Sequence, residues 1–170
     1  LRKEGVEEVV ARYPEVQIIQ EIAGMVSLEE CTTKIQDALA ARIKEIDGII
    51  CTGYNPTVAA ATLLSEWNQQ QANRRIHFVG IDTDQVVLDA IRRGDIDATI
   101  SQNPYGHGYI TCTLLNYLLD GWTPRSAGYF IDSGAVLVKR DNVDSFNQEV
   151  KAITTRILDQ LESQYLNPPN

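Results

Sequence analysis

Two planar, hydrogen-bonding side chains close successive apolar segments of this chain. Asp82 follows Phe78-Val79-Gly80-Ile81, and Gln102 follows Ala98-Thr99-Ile100-Ser101. A carboxylate or a carboxamide can meet two neighbouring hydroxyl groups at once, accepting from one and, for the amide, donating to the other. Such a pair suits a ligand that carries vicinal hydroxyls, and Asn55 can add a third group of the same kind. Other chemistries find no support. The chain contains no G-x-G-x-x-G or G-x-x-x-x-G-K-[ST] phosphate loop and no G-x-S-x-G nucleophile elbow. His77 and His107 stand apart in sequence and are read as structural. Cys31, Cys51 and Cys112 are odd in number and form no C-x-x-C, so neither a disulfide framework nor a zinc site is indicated. They are read as buried, inert thiols. The residues call for no catalytic group, no metal and no cofactor.

The elements that position these residues alternate between strand and helix. Gly5 to Arg12 reads as the end of a helix stopped by Tyr13-Pro14, and Val16 to Ile22 as a β-branched strand. Leu28, Cys31, Ile35, Leu39 and Ile43 follow the 3.6-residue period of a helix. Ser27 with Glu30 makes a capping-box pattern at its start. Strands are expected at 46–52, 76–81 and 97–101, and helices at 56–70, 84–93 and 105–120. Pro56 lies in the first turn of its helix, and Gly94 and Gly121 stop theirs. Two short strands, 129–131 and 135–139, surround Ser133-Gly134. A last helix spans 143–165 before an Asn167-Pro168-Pro169-Asn170 tail.

Strands joined by helices run parallel, and apolar parallel strands need helical cover. The fold class is therefore α/β, a doubly wound parallel sheet. Ligands of such sheets bind outside the carboxyl ends of the strands. Here those ends are Gly24, the loop Thr52 to Asn55, Asp82 to Asp84, and Gln102 to Pro104.

Bulk properties agree with a folded domain. In 170 residues, 44% are hydrophobic and 22% charged. A formal net charge of −8 argues against a chain that holds nucleic acid by neutralising phosphates. No apolar run reaches the roughly 20 residues of a membrane span. The opening Leu1-Arg2-Lys3-Glu4-Gly5 shows neither an initiator methionine nor a signal-peptide core, so a fragment or processed piece is expected.

The stretch Phe78-Val79-Gly80-Ile81-Asp82, followed by Ala90-Ile91-Arg92-Arg93-Gly94-Asp95-Ile96-Asp97-Ala98-Thr99-Ile100-Ser101-Gln102-Asn103-Pro104, resembles the type I periplasmic sugar-binding proteins. Ribose- and galactose-binding proteins share this pattern, as do the effector domains of lac-repressor-like regulators. The resemblance runs from Arg2 to about Phe146. It implies a Rossmann-like lobe forming the C-terminal half of a two-lobe protein. Residues 1–102 would be that lobe. Residues 103–132 would be a hinge crossing and a helix packed on an N-terminal lobe, and residues 133–170 the return crossing and final helix. On this reading the helix face of Ile110, Leu114 and Leu118 needs a partner that the chain lacks.

The resemblance further implies that Asp82 and Gln102 bind sugar hydroxyls. It implies too that Arg2, three residues before Gly5, forks onto the ligand, and that Gly53, Tyr54 or Asn55 supplies a contact from a loop one residue longer than usual. Gly24, Met25 and Val26 would border the pocket. The implied function is the non-catalytic solute-binding component of a sugar ABC transporter, taking a monosaccharide or polyol between its lobes. Its partner would be a membrane permease and its location periplasmic or extracellular, with the signal peptide upstream. The alternative is the effector-binding domain of a lac-repressor-like transcription regulator. The run Gly134 to Asp144 and the long helix after it look like the transport-type members. Plainer uses stand beside these roles: Asp82 or Asp84 can cap a helix, Gln102 can bond backbone alone, Arg2 can be a surface charge, Tyr54 an exposed loop aromatic, and Arg74-Arg75 and Arg92-Arg93 solvated surface.

Overall fold

The computed structural model describes residues 1–70, 74–126 and 130–169. The chain divides into two compact units, Leu1–Ile100 and Ser101–Asn170.

In the first unit, α1 spans Arg2–Val10 and buries no residue. Helix α2, Leu28–Arg42, starts at the predicted capping box. The Ser27 hydroxyl accepts from Glu30 N–H at 3.1 Å, and the Glu30 carboxylate accepts from Val26 and Ser27 N–H at 3.0 and 3.3 Å. Those two backbone donors hold the Glu30 carboxyl below its ordinary value, since they bond the charged form.

Strands β1 (Gly48–Ile50), β2 (His77–Ile81) and β3 (Ala98–Ser101) are shorter than the sequence suggests. They pair in parallel, Ile49 beside Phe78 and Val79 beside Ala98. Helix α3 (Tyr54–Gln70) packs between α2 and α4 (Gln85–Arg93). Its Ala59, Ala60, Ala61 and Leu64 are buried with Phe78, Ile76, Val87 and Ile91. The three alanines let α3 approach the sheet closely, and Asn68 fastens its far end. The Asn68 amide donates to the carbonyls of Ile76 and Asp95 at 3.0 and 2.8 Å and accepts from Ile76 N–H at 3.0 Å. Gly94 ends α4 at φ 81°, as predicted.

Two expectations need correction in this unit. Val16 to Ile22 forms no strand. Carbonyls along this stretch and just after it are taken by side chains instead of a ladder: Ile19 by the Arg42 guanidinium at 2.7 Å, Ala23 by Lys34 at 3.4 Å. The arginine runs are not simply solvated. Arg75 donates to Gly94 O at 2.6 Å and pairs with Asp97 at 3.2 Å, while Arg93 pairs with Asp95 at 2.7 Å. His77 is exposed, with its ring Nδ1 3.2 Å from Asp97. Partial burial pushes the Asp97 carboxyl upward, but bonds from Phe78 N–H, His77 and Arg75 outweigh it and hold the group below its ordinary value.

In the second unit, α5 (Pro104–Leu119) packs on α6 (Phe146–Gln160), which continues as a π-helical turn, Leu161–Tyr165. Ile110, Leu161 and Leu166 form the core, with Leu114, Tyr117, Trp122 and Ile157 against it. Ile110 and Leu114 thus find their partners inside this chain, contrary to expectation. The uncovered apolar residues of α5 are Tyr105, Tyr109, Leu115, Leu118 and Leu119. Cys112 lies on the side of the helix away from Ile110 and is exposed, so of the cysteines only Cys31 and Cys51 are buried.

Strand β5 is Val136–Val138. The expected strand at 129–131 begins on Tyr129, outside the described residues; Phe130 and Ile131 form none. An unforeseen antiparallel pair joins β4 (Thr123–Pro124) to β6 (Leu166–Asn167) in what reads from sequence as a tail. The final helix begins at Phe146 rather than Val143. Asn142 forms a turn first, its side chain accepting from Lys139 N–H at 2.8 Å and donating to Leu137 O at 3.0 Å.

Candidate functional site

The carboxyl ends of β1 and β2 gather the polar groups of the first unit. The loop after β1 brings Thr52 and the first turn of α3 brings Tyr54 and Asn55 to this edge, and the loop after β2 brings Asp82 and Asp84. Arg2, on α1, donates from its guanidinium to Thr52 O at 2.8 Å. The Asn55 amide donates to Val26 O at 2.7 Å, which ties the 24–26 segment to the same edge. The Tyr54 hydroxyl donates to the Asp84 carboxylate at 2.6 Å. The bond to Asp84 raises the Tyr54 phenol above its ordinary value, since ionising it would set a second negative charge beside Asp84 and, further off, Asp82. Tyr54 therefore stays neutral and half-exposed, an aromatic face flanked by carboxylates.

Of the two aspartates, Asp84 is the helix cap: its carboxylate also accepts from Val86 N–H at 2.8 Å at the start of α4. Asp82 stands one step nearer the sheet, partly buried, in the left-handed region at φ 76°. Its N–H donates to Ile100 O at 2.8 Å, and its carbonyl accepts from the Thr99 hydroxyl at 2.7 Å.

Beneath the edge lies Thr57, 1% exposed. Its hydroxyl donates to Gly53 O at 2.7 Å and accepts from Ile81 N–H at 3.0 Å, which locks the first turn of α3 onto the end of β2. Gly80 permits this contact, because a Cβ there would lie 2.4 Å from the Thr57 methyl.

Four of the five sequence-predicted site residues, Arg2, Tyr54, Asn55 and Asp82, thus share the carboxyl edge of the first unit. Gln102 lies in the second unit, partly buried between Ser101 and Asn103. Beside it, Asn103 is fully buried and capped over α5 at φ 48°. Its side chain accepts from Gly106 N–H at 2.7 Å and donates to Ser133 O and, at 3.2 Å, to Thr154. Sequence reasoning missed Asn103, although Asn-Pro ahead of a helical run is an N-cap signal. It also missed Thr57 and Thr99, for which no local pattern exists. Among the described residues no cluster of His, Cys, Asp and Glu could hold a metal ion.

Parallel strands with helical cover and hydrogen-bonding loops at their carboxyl ends define a ligand-binding α/β lobe. The chain belongs to the periplasmic binding protein domain family, whose model matches residues 1–123. Among solved structures it is similar to an arabinose-binding protein from Geobacillus stearothermophilus, at 27% identity and a TM-score of 0.69, over 85% of this chain and 51% of that one. A sugar-binding protein of a sugar ABC transporter from Bacillus halodurans matches at 24% identity and a TM-score of 0.69, over 81% and 49%. An ABC transporter solute-binding protein from Agrobacterium vitis with bound D-fucose matches at 20% identity and a TM-score of 0.72, over 88% and 49%. The latter two likenesses concern the fold. The chain spans about half the length of these structures.

Proposed function

We propose that this chain is one ligand-binding half of a non-catalytic solute-binding protein serving a sugar ABC transporter, with a monosaccharide or related polyol as its ligand. The observation that carries the reading is the convergence of Arg2, Tyr54, Asn55 and Asp82 on the carboxyl edge of the first unit. This set mixes one cation, a carboxylate, an amide and a neutral aromatic face, which suits an uncharged ligand dense in hydroxyls. The sugars borne by similar solved structures support it. Gln102 is proposed as a further group bonding the same ligand. Residues 1–102 would act as the C-terminal lobe and 103–132 as a hinge crossing and a helix. Residues 133–170 would be the return crossing and final helix. A second lobe preceding the chain would cover the exposed apolar residues of α5 and furnish the opposite wall. Lobe closure around the sugar would then present the loaded form to a membrane permease, in the periplasm or outside the cell.

The test is titration calorimetry of the full-length protein against a panel of pentoses, hexoses and polyols. One or a few should bind, and Asp82→Ala should weaken binding by roughly ten- to a hundredfold, the range for hydrogen bonds to a charged group. A panel without a binder, or an Asp82→Ala variant that binds as the wild type does, refutes the reading.

A further inference from the structure

Resting on the sugar-binding reading above, we propose that Thr99 is a positioning residue: its buried hydroxyl fixes the backbone of Asp82 in the left-handed conformation that aims the carboxylate at the ligand. Asp82 and Asn103 are the non-glycine residues with positive φ among those described, and Asp82 sits at 76°. An L-residue avoids this region because its Cβ crowds the following carbonyl, although Asp tolerates it better than most. A conformation of this kind persists only where its surroundings over-determine it, and such positions gather at binding sites.

Three bonds do so here. The Thr99 hydroxyl donates to Asp82 O at 2.7 Å, Asp82 N–H donates to Ile100 O at 2.8 Å, and Ile81 N–H donates to the Thr57 hydroxyl at 3.0 Å. Only the middle one is a backbone pair. The other two come from threonines that are 0% and 1% exposed, in places where an apolar β-branched residue of the same shape would pack as well. A buried hydroxyl needs a partner, and the partner of Thr99 is the one carbonyl whose orientation defines the turn at Asp82. With its N–H held by Ile100 O and its carbonyl by Thr99, Asp82 has both flanking peptides pinned, which fixes φ and ψ together and with them the direction of the Cα–Cβ bond. Releasing the carbonyl lets the pair of dihedrals relax and the carboxylate leave its place. The role of Thr99 is therefore in binding geometry more than in fold stability.

The experiment compares Thr99→Val, Thr99→Ser and Thr99→Cys in the full-length protein. Affinity is measured by calorimetry with whichever panel sugar the wild type binds, and the thermal midpoint is measured separately. Thr99→Val should lose roughly tenfold in affinity, about one hydrogen bond's worth. Thr99→Ser, which keeps the hydroxyl, should restore it. Thr99→Cys, a weaker donor of similar size, should fall between and serves where the valine variant does not fold. Valine or cysteine variants that melt lower yet bind as tightly as the wild type would overturn the inference and leave the sugar-binding reading standing. A wild type that binds no sugar, or one indifferent to Asp82→Ala, overturns both.

Discussion

The contact between Gly80 and Thr57 offers a demanding test of how the edge is built. In Gly80→Ala the new methyl would stand 2.4 Å from Thr57 Cγ2, 3.0 Å from Thr57 Oγ1 and 3.0 Å from Phe78 Cζ. Thr57 and Phe78 are each 1% exposed, so neither can swing into solvent. Overpacking of this kind costs about 1–3 kcal/mol. Pushing Thr57 aside also disturbs its bonds to Gly53 O and Ile81 N–H, each worth about 1 kcal/mol net. Together the loss should be about 2–4 kcal/mol, or a fall of roughly 5–15 °C in melting temperature for a chain of this size. Urea denaturation followed by circular dichroism measures it directly. Thr57→Ser in the same background removes the nearest atom and keeps the hydroxyl, so the double variant should recover more than about 1 kcal/mol as a coupling energy. A Gly80→Ala variant of wild-type stability, or a serine that rescues nothing, would show that the close approach is not what holds α3 to β2.

Two further outcomes can be checked. Glu30→Ala should melt below the wild type at neutral pH. The Glu30 carboxyl is depressed in the folded chain, so its stabilisation is complete above the ordinary value of 4.5 and drains as the pH falls through the lowered one. The two melting curves should converge in acid, and a gap independent of pH would refute the capping account. For the thiols, Cys112 should react first with a disulfide reagent in the native 170-residue chain. Cys31 and Cys51 should react only on unfolding, since burial pushes Cys51 up to about 12 and the neighbouring Cys31 adds to it. Rapid modification of more than one thiol in the native chain would contradict the burial described.

Helix starts and stops were legible in the sequence wherever a local signal set them, as at Ser27 with Glu30, Asp84 and Gly94. Asp82 and the 52–55 loop could be placed at strand ends because apolar runs mark where parallel strands finish. What stayed hidden depends on contacts distant in sequence. Val16 to Ile22 has the composition of a strand, but the choice between a ladder and capture by Arg42 and Lys34 is made by helix α2. Ile110 and Leu114 read as an orphaned face because the π-helical turn that brings Leu161 and Leu166 onto them leaves no periodic trace. Cys112 looked buried because an apolar helix with an uncovered side spells the same pattern as one enclosed. The two threonines under the site were invisible for a related reason: a buried hydroxyl and an exposed one are spelled alike.

The capture of Ile19 and Ala23 carbonyls by basic side chains has a consequence for solubility. Val16-Gln17-Ile18-Ile19-Gln20 is the kind of short, uncharged, β-branched run that templates fibril growth when its main chain is open to neighbours. Arg42 occupies one acceptor within it, at Ile19, while Glu15 and Glu21 stand guard at either end. Losing that one guanidinium would leave the binding edge intact yet hand other molecules a sticky seam.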